Sequence, residues 1–153
     1  MRKKSDTLVL DANNWNTFAN GREAWVINFY EANCSACIEL NKEWELISTA
    51  YKGKVKVAKI NMTETINEPL EDQVQLSKYP SIRFYKSGPK KISEFAQYEG
   101  VNKRFSIQEW LNNKLEEKTT TVDIASLNKE NYENLCKSTK NTCIIVFLEN
   151  AAE

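Results

Sequence analysis

Residues 25 to 30, WVINFY, form a run of bulky and β-branched side chains, too short and too aromatic for an ordinary helix, and predict a buried strand. After a polar turn at residues 31 to 33 the apolar period changes. Cys37, Leu40, Trp44 and Ile47 recur every three or four positions, which predicts an amphipathic helix running to about residue 50 or 51. Before this unit, residues 7 to 10 predict a first strand, and Trp15, Phe18 and Ala19 share the face of a short helix that Gly21 can end. After it, Gly53 closes the helix and residues 56 to 60 predict a third strand, giving the order β-α-β-α-β.

The second half breaks that alternation. Pro69 can open a helix carried to residue 78 by Leu70, Val74 and Leu76. Ile82, Phe84 and Tyr85 predict a strand stopped by Ser87-Gly88-Pro89, and residues 91 to 98 predict its antiparallel hairpin partner. A helix over residues 106 to 117 follows, with Ser106 as cap, Glu109 three positions on, and Ile107, Trp110, Leu111 and Leu115 as its buried face. The fold class is α/β, a mixed central sheet of about five strands with helices on both faces. The predicted domains are 1–118 and a shorter piece, 119–153, opening at the polar linker 119–121. In that piece residues 122–125, 129–136 and the apolar 143–148 resemble the start of a second α/β unit, and the last stretch is its adhesive part for self-association.

Cys34 and Cys37 fall at the predicted start of the second helix. There the unpaired backbone N–H groups and the positive end of the helix dipole favour thiolate over thiol. Cys37 lies one turn on and on the same side, where it can attack a mixed disulfide at Cys34. A lone C-x-x-C also serves as half a zinc site, as a stable disulfide or as two core thiols; the preceding strand and following helix favour redox work. Zinc needs about four ligands, and only the distant Cys136 and Cys143 could be added, so neither a metal nor a cofactor is expected. Cys136 and Cys143 are candidates for a structural disulfide.

Composition narrows the partners. Twenty-one basic and twenty-one acidic residues cancel, so no global field draws nucleic acid, and no apolar stretch is long enough for a membrane span. The chain contains no histidine, which removes imidazole acid–base chemistry. Residues 8–10 are too short for a signal-peptide core; either the protein is cytoplasmic or a signal has been removed.

With strand, C-x-x-C helix, third strand, Tyr-Pro-Ser and hairpin in order, the chain resembles a thioredoxin-fold domain, and more closely the catalytic a-type domain of protein disulfide isomerases. The resemblance rests on WVINFYEANCSAC, KVKVAKIN, KYPSIRFYKSG and YEG followed by basic residues and IQEWL. Residues 131–148 resemble the start of the b-type domain that follows the second a-type domain in P5-like disulfide isomerases. The resemblance implies thiol–disulfide exchange on protein or peptide substrates, in the endoplasmic reticulum lumen or secretory pathway. It makes Cys34 the nucleophile, Cys37 the resolving cysteine, and Pro80 a cis-proline beside which Tyr79 offers backbone to substrate, although base rates alone favour trans after tyrosine. It makes Arg104 the mobile basic residue that assists Cys37, with Lys103 as the alternative for the part.

Departures from the family pattern point to atypical activity. Ser35-Ala36 replaces Gly-His between the cysteines, which should raise the thiol pKa and lower the reduction potential. Asn33 replaces an aromatic residue of the substrate surface. Asn28 stands where the family carries a buried carboxylate that accepts the resolving proton, and an amide cannot do that. Its lysine partner is matched by Lys59, expected to be unpaired or turned to solvent, and a helix proline is replaced by Lys42. The alternative reading is a redox-weak chaperone or client-binding module of a larger protein.

Overall fold

The computed structural model describes residues 5–117, and one compact unit ends at Glu116. Five strands, β1 (Leu8–Leu10), β2 (Trp25–Tyr30), β3 (Lys56–Asn61), β4 (Ser81–Tyr85) and β5 (Ala96–Gln97), form one sheet in the order β1-β3-β2-β4-β5. β1 and β2 both run parallel to β3, whereas β4 pairs antiparallel with β2 and with β5. The helices are α1 (Trp15–Ala19), α2 (Ser35–Ala50), α3 (Glu68–Val74) and α4 (Arg104–Glu116), with a 3-10 turn at Thr65–Asn67 before α3.

Because side chains alternate across a strand, the sheet builds a core on each face. Trp25, Ile27, Phe29, Ala58, Ile60 and Tyr85 pack with Trp15 and Phe18 of α1 and Leu70 and Val74 of α3. Val26, Val57, Ile82 and Phe84 pack with Leu40, Trp44 and Ile47 of α2 and Ile107 and Leu111 of α4. Five residues of α1 could not hold a helix in water. Its two aromatic rings supply the stability, with Phe18 edge-on to Trp25 at 5.6 Å and to Tyr85 at 4.7 Å between centroids. Trp44 joins α2 to the sheet through an indole N–H that donates to the Ala58 carbonyl at 3.0 Å.

Three predicted elements change. The partner of β4 is two residues long rather than residues 91 to 98: Glu94 N–H donates to the Lys91 carbonyl, closing a turn, and pairing begins only with Phe84↔Ala96. α3 stops at Val74 instead of residue 78, because Gln75 takes a left-handed conformation, φ 46°. α4 begins at Arg104, so Ser106 is inside its first turn and does not cap it.

Candidate functional site

The register of β2 against β4 sets the site. Phe29 is opposite Ser81, so the turn leaving β2 toward Cys34 and the segment entering β4 through Tyr79-Pro80 emerge at the same end of the sheet. The Tyr79–Pro80 peptide is cis. Tyr79 is half-buried, and its phenol is raised above the ordinary tyrosine value by burial and then by the carboxylates of Glu31 and Glu71.

Cys34 is the N-cap of α2, with extended backbone at φ −88° and ψ 115°. Its Sγ accepts the Cys37 backbone N–H at 3.2 Å. The two cysteines form a disulfide with Cα atoms 5.1 Å apart, Cys34 partly exposed and Cys37 fully buried. When the bond is reduced, an N-cap sulfur that accepts a first-turn backbone N–H is stabilised as a thiolate, whereas burial disfavours the thiolate of its partner. The chemistry such an asymmetry supports is thiol–disulfide exchange, which needs one exposed sulfur to attack and a second within reach to resolve. Asn33, Ser35 and Ala36 are exposed around Cys34.

Behind Cys37 the sheet is polar where the rest of this face is apolar. Asn28 is fully buried; its Nδ2 donates to Asn41 Oδ1 at 3.5 Å, and its Oδ1 has no donor among the described residues. Lys59 is beside Asn28 in the ladder, and it is neither unpaired nor turned to solvent as expected. Its ammonium donates to Glu45 on α2 at 2.9 Å, with the lysine side chain 20% exposed. Burial works to raise the Glu45 carboxyl. Hydrogen bonds from Ser5 and Lys59, the Lys59 charge and Thr7 outweigh it and hold the group below the usual carboxylate range. Cys37, Asn41 and Glu45 are spaced at i, i+4 and i+8, so one stripe of α2 carries the buried cysteine and both polar partners.

Arg104 is exposed at the start of α4, and its Nε lies 3.7 Å from Glu43 on α2. Lys103 is exposed beside it. Cys136 and Cys143, like the rest of 118–153, lie outside the described residues. Sequence reasoning missed Asn41 and Glu45, although their four-residue spacing from Cys37 carried the signal. It also missed Arg83, a lone cation inside the apolar run of β4. Among the described residues no group of three or more acidic or cysteine side chains is arranged to hold a metal ion, and no helix is long and apolar enough to cross a membrane.

A cysteine pair at a helix N-terminus, set beside a cis-proline at one end of a mixed five-stranded sheet, defines a thioredoxin-fold dithiol–disulfide protein. The thioredoxin family model matches residues 6–113, and the chain belongs to that family. Within it the domain is related to the protein disulfide isomerases. It is 26% identical over 145 residues to the Drosophila melanogaster protein disulfide-isomerase A6 homolog, a match covering 94% of this chain and 33% of the fly protein. The Caenorhabditis elegans A6 homolog is 24% identical over 92% of this chain and 31% of its own length. The chain thus spans about a third of these relatives. Among solved structures, the J-Trx1 fragment of ERdj5 superposes with a TM-score of 0.64 at 20% identity, covering 75% of this chain and 52% of that one. The first thioredoxin domain of mouse protein disulfide-isomerase A4 gives 0.61 at 21% identity, covering 84% and 89%.

Proposed function

We propose that this chain carries out thiol–disulfide exchange on protein or peptide substrates through Cys34 and Cys37. The observation that carries the reading is the N-cap placement of a partly exposed Cys34 whose sulfur takes the Cys37 N–H, with Cys37 sealed behind it. In the reducing direction the Cys34 thiolate attacks a substrate disulfide, a mixed disulfide forms and one substrate thiolate leaves. Cys37, as thiolate, then attacks the Cys34 sulfur; the mixed disulfide breaks, the second substrate thiolate leaves, and two electrons have passed to substrate. The substrate backbone runs beside Tyr79-Pro80. Because Asn28 is an amide, the Cys37 proton must go to water or to the departing thiolate, which slows resolution.

Kinship to the A6 homologs supports placing residues 1–118 as a catalytic domain and 119–153 as the start of a following b-type domain, as in P5-like disulfide isomerases, working in the secretory pathway. The polar Asn28–Asn41 pair favours a second reading, a client-binding module with little turnover. In the test, Cys37→Ala and Cys34→Ala, reduced beforehand and freed of reductant, are incubated with a denatured client that keeps its disulfides and resolved on non-reducing gels. Cys37→Ala should accumulate mixed disulfide through Cys34; capture no greater than that of Cys34→Ala sinks the exchange reading.

A further inference from the structure

We infer that Arg83, a residue distant in sequence from the cysteines, positions the Tyr79-Pro80 segment for substrate. The inference rests on the exchange reading above. Arg83 is in the middle of β4, points to the α1/α3 face and is 4% exposed. Among the described residues it has no ion-pair partner, so its charge is solvated by carbonyl and amide oxygens and aromatic faces rather than paired with a carboxylate. One guanidinium nitrogen donates to the Val74 carbonyl and another to that of Gln75 at 3.2 Å, the two residues where α3 ends and the chain turns left-handed. Its Nε donates to Gln97 Oε1 at 3.3 Å, and Gln97 in turn donates to the Ser81 hydroxyl at 3.1 Å. The Phe95 ring covers the guanidinium, 3.9 Å from its centroid, and Phe29 lies 5.5 Å away on the sheet.

These contacts have a common object. The segment carrying Tyr79-Pro80 leaves α3 at Val74-Gln75 and enters β4 at Ser81, and the Arg83 fork reaches both ends: directly at the first, through Gln97 at the second. A planar guanidinium can hold two carbonyls and a side-chain amide at fixed angles, whereas an ammonium, as a point charge, cannot reproduce that fork. Unpinning the segment leaves the cysteines in place, since they are set by β2 and α2. It blurs the backbone edge against which a peptide must align, and so affects peptide affinity more than sulfur chemistry. Arg83 is thus a positioning residue and touches no reacting atom.

The experiment uses the full chain, reduced beforehand, in single turnover against two probes: a peptide carrying one intramolecular disulfide, and bis(2-hydroxyethyl) disulfide, which has no peptide backbone. Arg83→Met keeps an apolar stem between Phe29 and Phe95 and removes the fork. It should raise the half-saturating peptide concentration about tenfold while leaving the limiting rate and the small-disulfide rate within about twofold. The equilibrium of the cysteines with glutathione should not move. Arg83→Lys should fall between wild type and Arg83→Met. Gln97→Ala, which keeps the guanidinium on α3 and cuts only the link to Ser81, tests the point even where Arg83→Met does not fold, with about a threefold rise. Equal slowing with both probes, or no change in peptide half-saturation for folded Arg83→Lys and Gln97→Ala, overturns the role of Arg83 alone. A wild-type chain inert toward both disulfides overturns the exchange reading, and the Arg83 role with it.

Discussion

Asn28→Asp replaces one oxygen-and-nitrogen amide with a carboxyl of the same shape, at a position with no solvent exposure. Burial opposes the charged form, and the one described polar partner is Asn41, a neutral amide. Lys59, next in the ladder, is already held by Glu45 at 2.9 Å. The introduced carboxyl should therefore titrate near about 6.5 instead of about 4, within the range for buried carboxyls. At about 1.4 kcal/mol for each tenfold change in proton affinity, this is about 3.5 kcal/mol. A folded carboxyl raised above its unfolded value binds more protons than the unfolded chain between the two. Stability thus falls as pH rises through that window, from about 4 to about 6.5, and the full loss is present above it. Urea melts of Asn28→Asp and wild type at half-unit steps from about pH 4 to about pH 8 should show the difference opening across that interval. Adding Glu45→Gln frees Lys59 to pair with the new carboxylate and should recover about half of the loss at about pH 8. A difference independent of pH would mean that position 28 is solvated, and the account of the polar stripe behind Cys37 would fail.

Other perturbations test separate links. The cysteine pair, lacking an imidazole between its members, should equilibrate with glutathione at a potential below the about −180 mV of protein disulfide isomerase, and replacing Ser35-Ala36 by Gly-His should raise it by at least about 30 mV. A value unchanged by that replacement would remove the intervening pair as the control of redox poise. Trp44→Phe deletes the hydrogen bond to the Ala58 carbonyl along with part of a buried ring, and should cost about 2 kcal/mol in a urea melt. Arg104→Ala breaks only a half-exposed contact with Glu43, so stability should change by less than about 0.5 kcal/mol. If Arg104 assists the resolving sulfur, stopped-flow release of mixed disulfide should slow about fivefold at about pH 7; an unchanged rate removes it from the mechanism.

The strand–turn–helix at residues 25–50 was legible because two periods meet there. WVINFY is buried on both faces, and the cysteines begin the one long stripe of three-and-four spacing. Period alone could not set the ends of α3 and α4. Gln75 adopts a left-handed turn that its residue type does not announce, and the start of α4 at Arg104 precedes the residue with capping chemistry. β5 is shorter than residues 91–98 because the chain turns at Lys91–Glu94, and the exposed Phe95 lies over Arg83 and against Tyr85 just ahead of the first paired residue, Ala96. Partnerships between distant side chains left the weakest trace. Position 28 was legible as the neighbour of Lys59, and the four-residue steps from Cys37 put Glu45 on the same stripe of α2, but nothing around Lys59 marks Glu45, fourteen residues away, as the group that takes its charge.

That exchange of partners changes what the amide at position 28 implies. A lysine without an acid behind the cysteines would add a buried positive charge near Cys37 and favour its thiolate. With Glu45 holding Lys59 and drawing in Ser5, the charge is balanced a full two turns along α2 from Cys37. The neutral Asn28–Asn41 pair is left closer to Cys37 along α2, with Asn41 one turn from the cysteine. Cys34 keeps its helix-terminus advantage as a nucleophile, while the buried side chain at position 28 is an amide that cannot take the Cys37 proton as a carboxylate would. First attack and second release are therefore controlled by different structures, and they should separate kinetically. Mixed-disulfide formation should follow the fraction of Cys34 thiolate, and its resolution should remain slow until the pH is high enough to ionise a buried thiol.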